Sequence, residues 1–186
     1  VIRRALRLVP LGPPFPATEL VDWLARELPR HLALAIRVLD QSSLRVAAPG
    51  SGAAADLVLD SLVDRFPPDG ERAPDEWVLG LTAAPLHTRV RGTVFGEAAL
   101  GGAWAIVTTA PITPDDPFLD RELLRERLLE EAIHELGHVA GLPHCDREGC
   151  IMTPARDVSE VDVRGDQFCR SCHTLLAALD PPLVDS

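Results

Sequence analysis

The sequence predicts an α/β protein built on a twisted mixed sheet of about five strands with flanking helices. Three observations carry this expectation. Short apolar runs alternate with stretches of helical periodicity, the order that builds a sheet with helices on its faces. A Gly101-Gly102 pair joins two strand-like runs and suits a tight hairpin, which implies one antiparallel edge strand. A long charged helical stretch then leads into a short tail that holds all four cysteines.

Taken in order, residues 2–9 are an apolar run with arginines and read as the first strand. Gly12-Pro13-Pro14-Phe15-Pro16 is a stiff connector. Thr18 is placed to cap a helix reaching Pro29, with Leu20, Val21, Trp23, Leu24 and Leu28 as its buried stripe. His31 falls at its end, where a cation is favourable. Residues 32–39 read as a second strand, and a Gly/Ala/Ser segment leads to a helix near 53–65. That helix groups Leu57, Val58, Ser61 and Leu62 about one face. Pro67-Pro68-Asp69-Gly70 is a turn, and 77–82 is a third strand. Residues 93–100 and 104–109 are the two strands of the hairpin.

From Pro117 the chain reads as helical to Ala140, with Asp116 as N-cap. Glu122 with Arg125, and Arg127 with Glu130 or Glu131, are spaced to pair on a solvated side. Leu124, Leu128, Ile133 and Leu136 supply its apolar contacts. One more helix is expected near 165–179, and the ending at 181–186 is expected to fray. The 186 residues fit one domain, with 1–141 as the larger part and 142–186 as a small C-terminal lobe.

Composition narrows the function. A net charge of −10 argues against a nucleic-acid partner, because phosphate binding needs a basic face. No stretch approaches a membrane span, and the N-terminal run reads as a strand and not as a signal peptide, so no membrane partner and a cytoplasmic location are expected. Aromatic residues make up only 4%, so the core must be aliphatic.

The chemistry is concentrated in His134-Glu135-Leu136-Gly137-His138-Val139-Ala140-Gly141-Leu142-Pro143-His144-Cys145. Two histidines four apart on a helix project from nearly one face, so both imidazoles can reach one metal. Gly141 lets the chain leave the helix sharply, since glycine tolerates positive φ, and the turn can bring His144 to the same ion. Three protein ligands leave a position open for water and substrate, which distinguishes a catalytic zinc site from a structural one. Glu135 is placed to act as general base toward a water held there. The competing reading is two helical histidines facing solvent and a third in a loop.

Cys145, Cys150, Cys169 and Cys172 are suited to a second, closed zinc site. Cys169-Arg170-Ser171-Cys172 has the two-residue gap that lets both thiolates bind one tetrahedral ion, and the four-residue gap of the first pair is compatible with a zinc knuckle. A pair of disulfides or a redox-active Cys-x-x-Cys are the competing readings.

The run from His134 through Cys145 and Cys150 to Met152, and on to Cys169 and Cys172, resembles the archaemetzincins, a family of the metzincin clan. The resemblance implies a metzincin-like fold with an active-site helix, and a zinc-stapled C-terminal lobe. It implies that Met152, the sole methionine, forms a Met-turn, a hydrophobic floor beneath the catalytic metal. It also implies that the edge strand lies beside the cleft, where Phe95, Gly96, Glu97, Ala98 and Ala99 would pair with an extended peptide. Two features depart from the family: the spacing from Met152 to Cys169 is about one residue short, which a loop can absorb, and the chain has no tyrosine. Some metzincins use a tyrosine to steady the transition state; here zinc, Arg156 or His173 would have to polarise the substrate carbonyl. His173, beside Cys172, is otherwise expected at the surface or behind a ligand.

The expected function is therefore a zinc metallopeptidase with two zinc ions, one catalytic and one structural, hydrolysing peptide or protein substrates with Glu135 as base. The alternative is a zinc-stabilised peptide-binding or regulatory module with little or no hydrolysis.

Overall fold

A computed structural model of the chain describes residues 2–40, 46, 52–67, 75–116 and 120–185. In chain order its elements are β1 (Arg4–Leu11), α1 (Thr18–His31), β2 (Leu34–Val38), β3 (Ala53–Ala54), α2 (Ala55–Arg65), β4 (Trp77–Thr82), β5 (Leu86–Thr88), β6 (Gly92–Val94), β7 (Gly96–Ala98), β8 (Trp104–Thr108), α3 (Arg121–Val139), α4 (Val158–Arg164) and α5 (Arg170–Ala177). The main sheet has the order β2-β1-β4-β8-β7. β1, β2, β4 and β8 run parallel, and β7 pairs antiparallel with β8 as the edge. The predicted five-stranded mixed sheet with an antiparallel edge is what forms.

Every residue of β4 is buried, because the central strand of a parallel sheet is covered on both faces. Alternation along the strands divides the core. Leu6, Leu8, Leu79, Leu81, Ala105 and Val107 pack with α1 and α3. Val9, Leu11, Val78 and Ile106 pack with Val58 and Leu62 of α2 on the other face.

Several elements differ from the sequence expectation. The strand predicted over 93–100 is two strands: β6 pairs with β5 in a second, three-stranded sheet, while β7 joins β8. One apolar run serves two sheets, and the break at Phe95 is set by those partners and not by any local signal. Residues 53–54 form a strand beside β5, so the second helix starts at Ala55. Its buried face is Ala55, Val58 and Leu62. Leu57, expected inside, is 64% exposed, and Ser61 turns its hydroxyl to the Leu57 carbonyl. Thr18 is the first residue of α1 and not its cap, and the helix continues past Pro29 to His31. β1 is displaced two residues toward Leu11, and β2 is shorter than the predicted 32–39.

α3 begins at Arg121 behind Asp120, so Asp116 is not its cap. Pro117, most of the Pro67–Gly70 turn and most of the Gly/Ala/Ser segment lie outside the described residues. The solvated face expected for α3 is partly interior. Glu122 and Arg125 do pair at the surface, but Arg127 is buried and grips Asp162 through Nε and Nη2 at 2.6 and 2.7 Å. The single helix predicted near 165–179 is two. Asp157 caps α4 by accepting from the N–H groups of Ser159 and Glu160, Gly165 ends it at φ +87°, and α5 follows from Arg170. Among the described residues no helix is long and apolar enough to cross a membrane.

The described part of the ending, 181–185, is docked and not frayed, and Ser186 lies outside the described residues. Leu183 and Val184 are buried in the main core, the Leu183 carbonyl accepts from Ala33 N–H at 2.7 Å, and its N–H donates to Leu176 O at 3.1 Å. Leu183→Ala should therefore cost about 2–4 kcal/mol in urea or thermal unfolding, the range for emptying a closed aliphatic site. A change within about 0.5 kcal/mol, the scale of a surface substitution, would mean that this segment carries no stability.

Candidate metal centre and cleft

α3 carries His134, Glu135 and His138, and its rigidity sets their relative directions. The Nε2 atoms of His134 and His138 face one another at 3.1 Å. His134 Nδ1 lies 2.7 Å from the Ile151 carbonyl, and His138 Nδ1 lies 2.7 Å from that of Leu142. A carbonyl only accepts, so each Nδ1 carries the hydrogen and each Nε2 presents a lone pair. Past α3, Gly141 adopts φ +95°, the left-handed conformation for which glycine is suited, and Leu142 N–H bonds back to Gly137 O at 2.9 Å. The reversal sets the His144 ring 5.4 Å from that of His134 and 4.8 Å from that of His138.

One ring nitrogen from each of the three histidines lies within 4.8 Å of the others. Tetrahedral zinc with Zn–N bonds near 2.05 Å sets ligand nitrogens about 3.3 Å apart, so the 3.1 Å separation of the first two fits such an ion. Burial pushes all three imidazoles below their ordinary range, His134 well below it, which keeps the ligating form dominant at neutral pH.

Glu135 lies in the same cleft, a hollow of about 290 Å³ lined also by Arg91, Glu97, Leu100, His138 and His144. Burial pushes its carboxyl well above the ordinary range, with the like charges of Glu131 and Glu97 adding to the effect. A dication among the imidazoles would oppose that shift. The edge strand passes directly over this carboxylate: a Cβ on Gly96 would stand 2.7 Å from Glu135 Oε1 and 2.7 Å from the Ile106 carbonyl. Only glycine fits there. Phe95 O accepts from Thr108 N–H and Ala99 N–H donates to Trp104 O, so Gly96 and Ala98 turn their backbone groups to the open side of the strand. Glu97 is held by an ion pair with Arg91 at the cleft mouth.

Beneath the histidines lies Met152, fully buried. A Cβ on Gly137 would overlap its sulfur, so the glycine between the two helical histidines is what lets Met152 pack under them. Behind His134, Glu131 and Arg164 form an ion pair at 2.8 Å with both side chains 2% exposed.

The four cysteine sulfurs also lie within 4.8 Å of one another. Cys145 and Cys169 Sγ are 3.9 Å apart, and those of Cys150 and Cys172 are 3.8 Å apart. Disulfide sulfurs would be about 2.05 Å apart, whereas thiolates on tetrahedral zinc with Zn–S bonds of about 2.3 Å are separated by about 3.8 Å. Backbone N–H donation from Cys172 lowers the Cys169 thiol to about 7, while burial raises Cys150 and Cys172. The two clusters share a backbone: Cys145 N–H donates to Met152 O at 2.9 Å, and Ile151 N–H to Gln167 O at 2.8 Å.

Two residues weighed as carbonyl polarisers lie elsewhere. Arg156 lines a separate hollow with Glu148, Thr153 and Glu160, and His173 belongs to neither ligand cluster. The cation that lines the cleft is Arg91, from the turn after β5, which no motif marked. Arg164 and Glu131 were likewise invisible in sequence, being 33 residues apart, whereas a glycine inside a strong helix, Gly137, was a readable sign of close packing.

Comparison with known proteins points to one peptidase family. The model of peptidase family M54 matches residues 74–178. The archaemetzincin of Archaeoglobus fulgidus is 41% identical over 99 residues, and that of Methanopyrus kandleri is 39% identical over 107 residues; these alignments take in 53% and 58% of this chain. In each case the match spans 59% of the relative's length. Over the fold, the crystal structure of the Archaeoglobus protein complexed with malonate superposes with a TM-score of 0.75 at 30% identity, covering 92% of this chain and 99% of that one. The Methanopyrus structure gives 0.74 at 30% identity, covering 94% of each chain. A zinc-dependent peptidase from Methanocorpusculum labreanum gives 0.74 at 26%, covering 91% of this chain and 98% of the other.

Two outcomes follow from the packing and burial just described. Gly96→Ala should displace Glu135 or lift the edge strand, costing about 1–3 kcal/mol in thermal unfolding, the range for overpacking a filled site; a change within about 0.5 kcal/mol would show that the strand yields at no cost. Glu130, beside Asp162, Asp166 and Arg164, is raised from 4.5 to about 7, chiefly by burial. Its folded form holds the proton more tightly than the unfolded chain. Its stabilisation is thus full below about 4.5 and is lost as pH rises through about 7. Glu130→Gln should gain thermal stability relative to the parent between pH 5 and pH 8, and a pH-independent difference would contradict the burial of this carboxyl.

Proposed function

The chain belongs to peptidase family M54, the archaemetzincins, and on that premise we propose that it is a zinc metallopeptidase with Glu135 as its general base. The observation that carries this reading is the placement of the Glu135 carboxylate in one cleft with His138 and His144, whose ring nitrogens gather with that of His134, against the open edge of β7. His134, His138 and His144 would hold the catalytic zinc. Bound there, zinc would supply Lewis-acid chemistry, acidifying a water to a pKa of about 7 and polarising the scissile carbonyl.

An extended peptide would lie along Phe95, Gly96, Glu97, Ala98 and Ala99, pairing with the outward backbone groups of Gly96 and Ala98. This pairing would hold the scissile bond over Glu135, because Gly96 and Glu135 are in contact. A Glu135 carboxylate oxygen takes the proton from the attacking water and later delivers it to the leaving amine nitrogen. Met152 would keep the imidazoles seated from below, as the floor of a Met-turn.

Cys145, Cys150, Cys169 and Cys172 would hold a second, structural zinc that closes residues 142–186 into a lobe of their own beside 1–141. Thiolates kept free for a metal fit a reducing compartment, which supports a cytoplasmic location. A binding module without hydrolysis would have no use for a buried carboxylate at position 135, so it is not favoured.

Glu135→Gln keeps the shape of the side chain and removes the base. The variant should retain both zinc ions by elemental analysis and lose at least about a hundredfold in turnover on a peptide library, the lower end of the range for a general base. Cleavage at the parental rate would overturn the assignment.

A further inference from the structure

We propose that Arg164 is a positioning residue for the three-histidine centre, clamping the turn that orients His134 onto the helix that carries it. The inference rests on the reading that these imidazoles hold zinc. Arg164 ends α4, outside every motif in the sequence, yet its side chain is 2% exposed and reaches the back of the site. Nη2 donates to Glu131 Oε1 at 2.8 Å, one helical turn before His134. Nη1 donates to the Thr153 carbonyl at 3.3 Å and lies 3.2 Å from His134 Nδ1.

These contacts join two segments. The Ile151 carbonyl takes the Nδ1 hydrogen of His134 at 2.7 Å and so sets both the tautomer and the ring's rotation. Thr153, two residues on in the same turn, is held by Arg164, and Arg164 is held by Glu131 on the helix of His134. The guanidinium thus fixes the distance between the orienting carbonyl and the ring it orients.

Stability alone explains this arrangement poorly. A buried ion pair gains little over apolar side chains of the same volume. Among the described residues the guanidinium Nε is also buried with no hydrogen-bond partner, and an unpartnered buried donor does not favour the pair on stability grounds. What apolar side chains cannot supply is a directional grip on two segments at once. A planar fork suits that task, and a lysine ammonium cannot reproduce it.

The test compares the parent with Arg164→Lys and with the double variant Arg164→Met/Glu131→Leu, which removes both charges and fills the space. Two readouts are taken on the whole chain: the thermal midpoint, and metal affinity at each site by chelator competition. Cobalt(II) absorption separates the thiolate site from the imidazole site. The double variant should unfold near the parental temperature and keep its thiolate-site affinity, while imidazole-site affinity falls roughly 10–100-fold. Arg164→Lys should weaken the same site and not the other, which preserves the test if the double variant does not fold. Parental affinity at the imidazole site in either variant overturns the proposal. A parent that binds metal at its thiolates alone overturns instead the reading on which the proposal stands.

Discussion

The site depends on the line of contact where α3 crosses residues 151–153. Three consecutive residues there meet three different demands of the helix. The Ile151 carbonyl orients His134, Met152 fills the space left by the missing side chain of Gly137, and the Thr153 carbonyl takes Arg164. Nothing in this line is tolerant of slippage, because a carbonyl hydrogen bond and a close-packed sulfur both fail within a fraction of an ångström. The helix supplies two imidazoles at fixed spacing, and the turn decides which way they face.

That turn needs an anchor of its own, since the segment after Gly141 has little aliphatic core. Its two helices bury Val161, Cys172 and Leu176, and Leu142, Cys150, Ile151, Met152, Leu183 and Val184 join the main core. The thiol cluster supplies what the core lacks. Cys145 and Cys150 bracket the approach to Met152, Cys169 and Cys172 lie at the start of α5, and the hydrogen bond from Cys145 N–H to Met152 O carries the constraint to the floor of the histidine cluster. A metal on the thiolates would therefore stabilise the lobe and the floor of the neighbouring cleft together.

Burial of charge around α3 gives the site its electrostatic character. Glu131, Glu135 and Arg127 are interior, and Glu130 is half-buried, on a helix whose composition looks like a surface element. Arg127 and Glu131 are satisfied by Asp162 and Arg164 of α4, so the helix can be both charged and interior. On the cleft side Glu97 and Arg91 pair at the mouth, and Glu135 lies deeper, in the hollow that His138 and His144 also line. The family match over 74–178 and the superposition with archaemetzincin structures carry the likeness beyond the motif to nearly the whole fold.

Local periodicity and spacing were enough to read the five-stranded mixed sheet, the antiparallel edge, the long helix through His138 and the two groups of histidines and cysteines that gather in space. Each is set by neighbours close in sequence: His134 and His138 share a helix face, Gly141 permits the reversal to His144, and Cys169 and Cys172 share a knuckle. What the chain order hid was every feature made by two distant segments. The split of 93–100 between two sheets, the interior placement of Arg127 and Glu131, the docked ending at Leu183, the cation Arg91 at the cleft and the clamp of Arg164 all need a partner from elsewhere in the chain. A helix pattern records which side chains share a face, but whether that face meets solvent, a carboxylate or a metal is decided only when the other segments arrive.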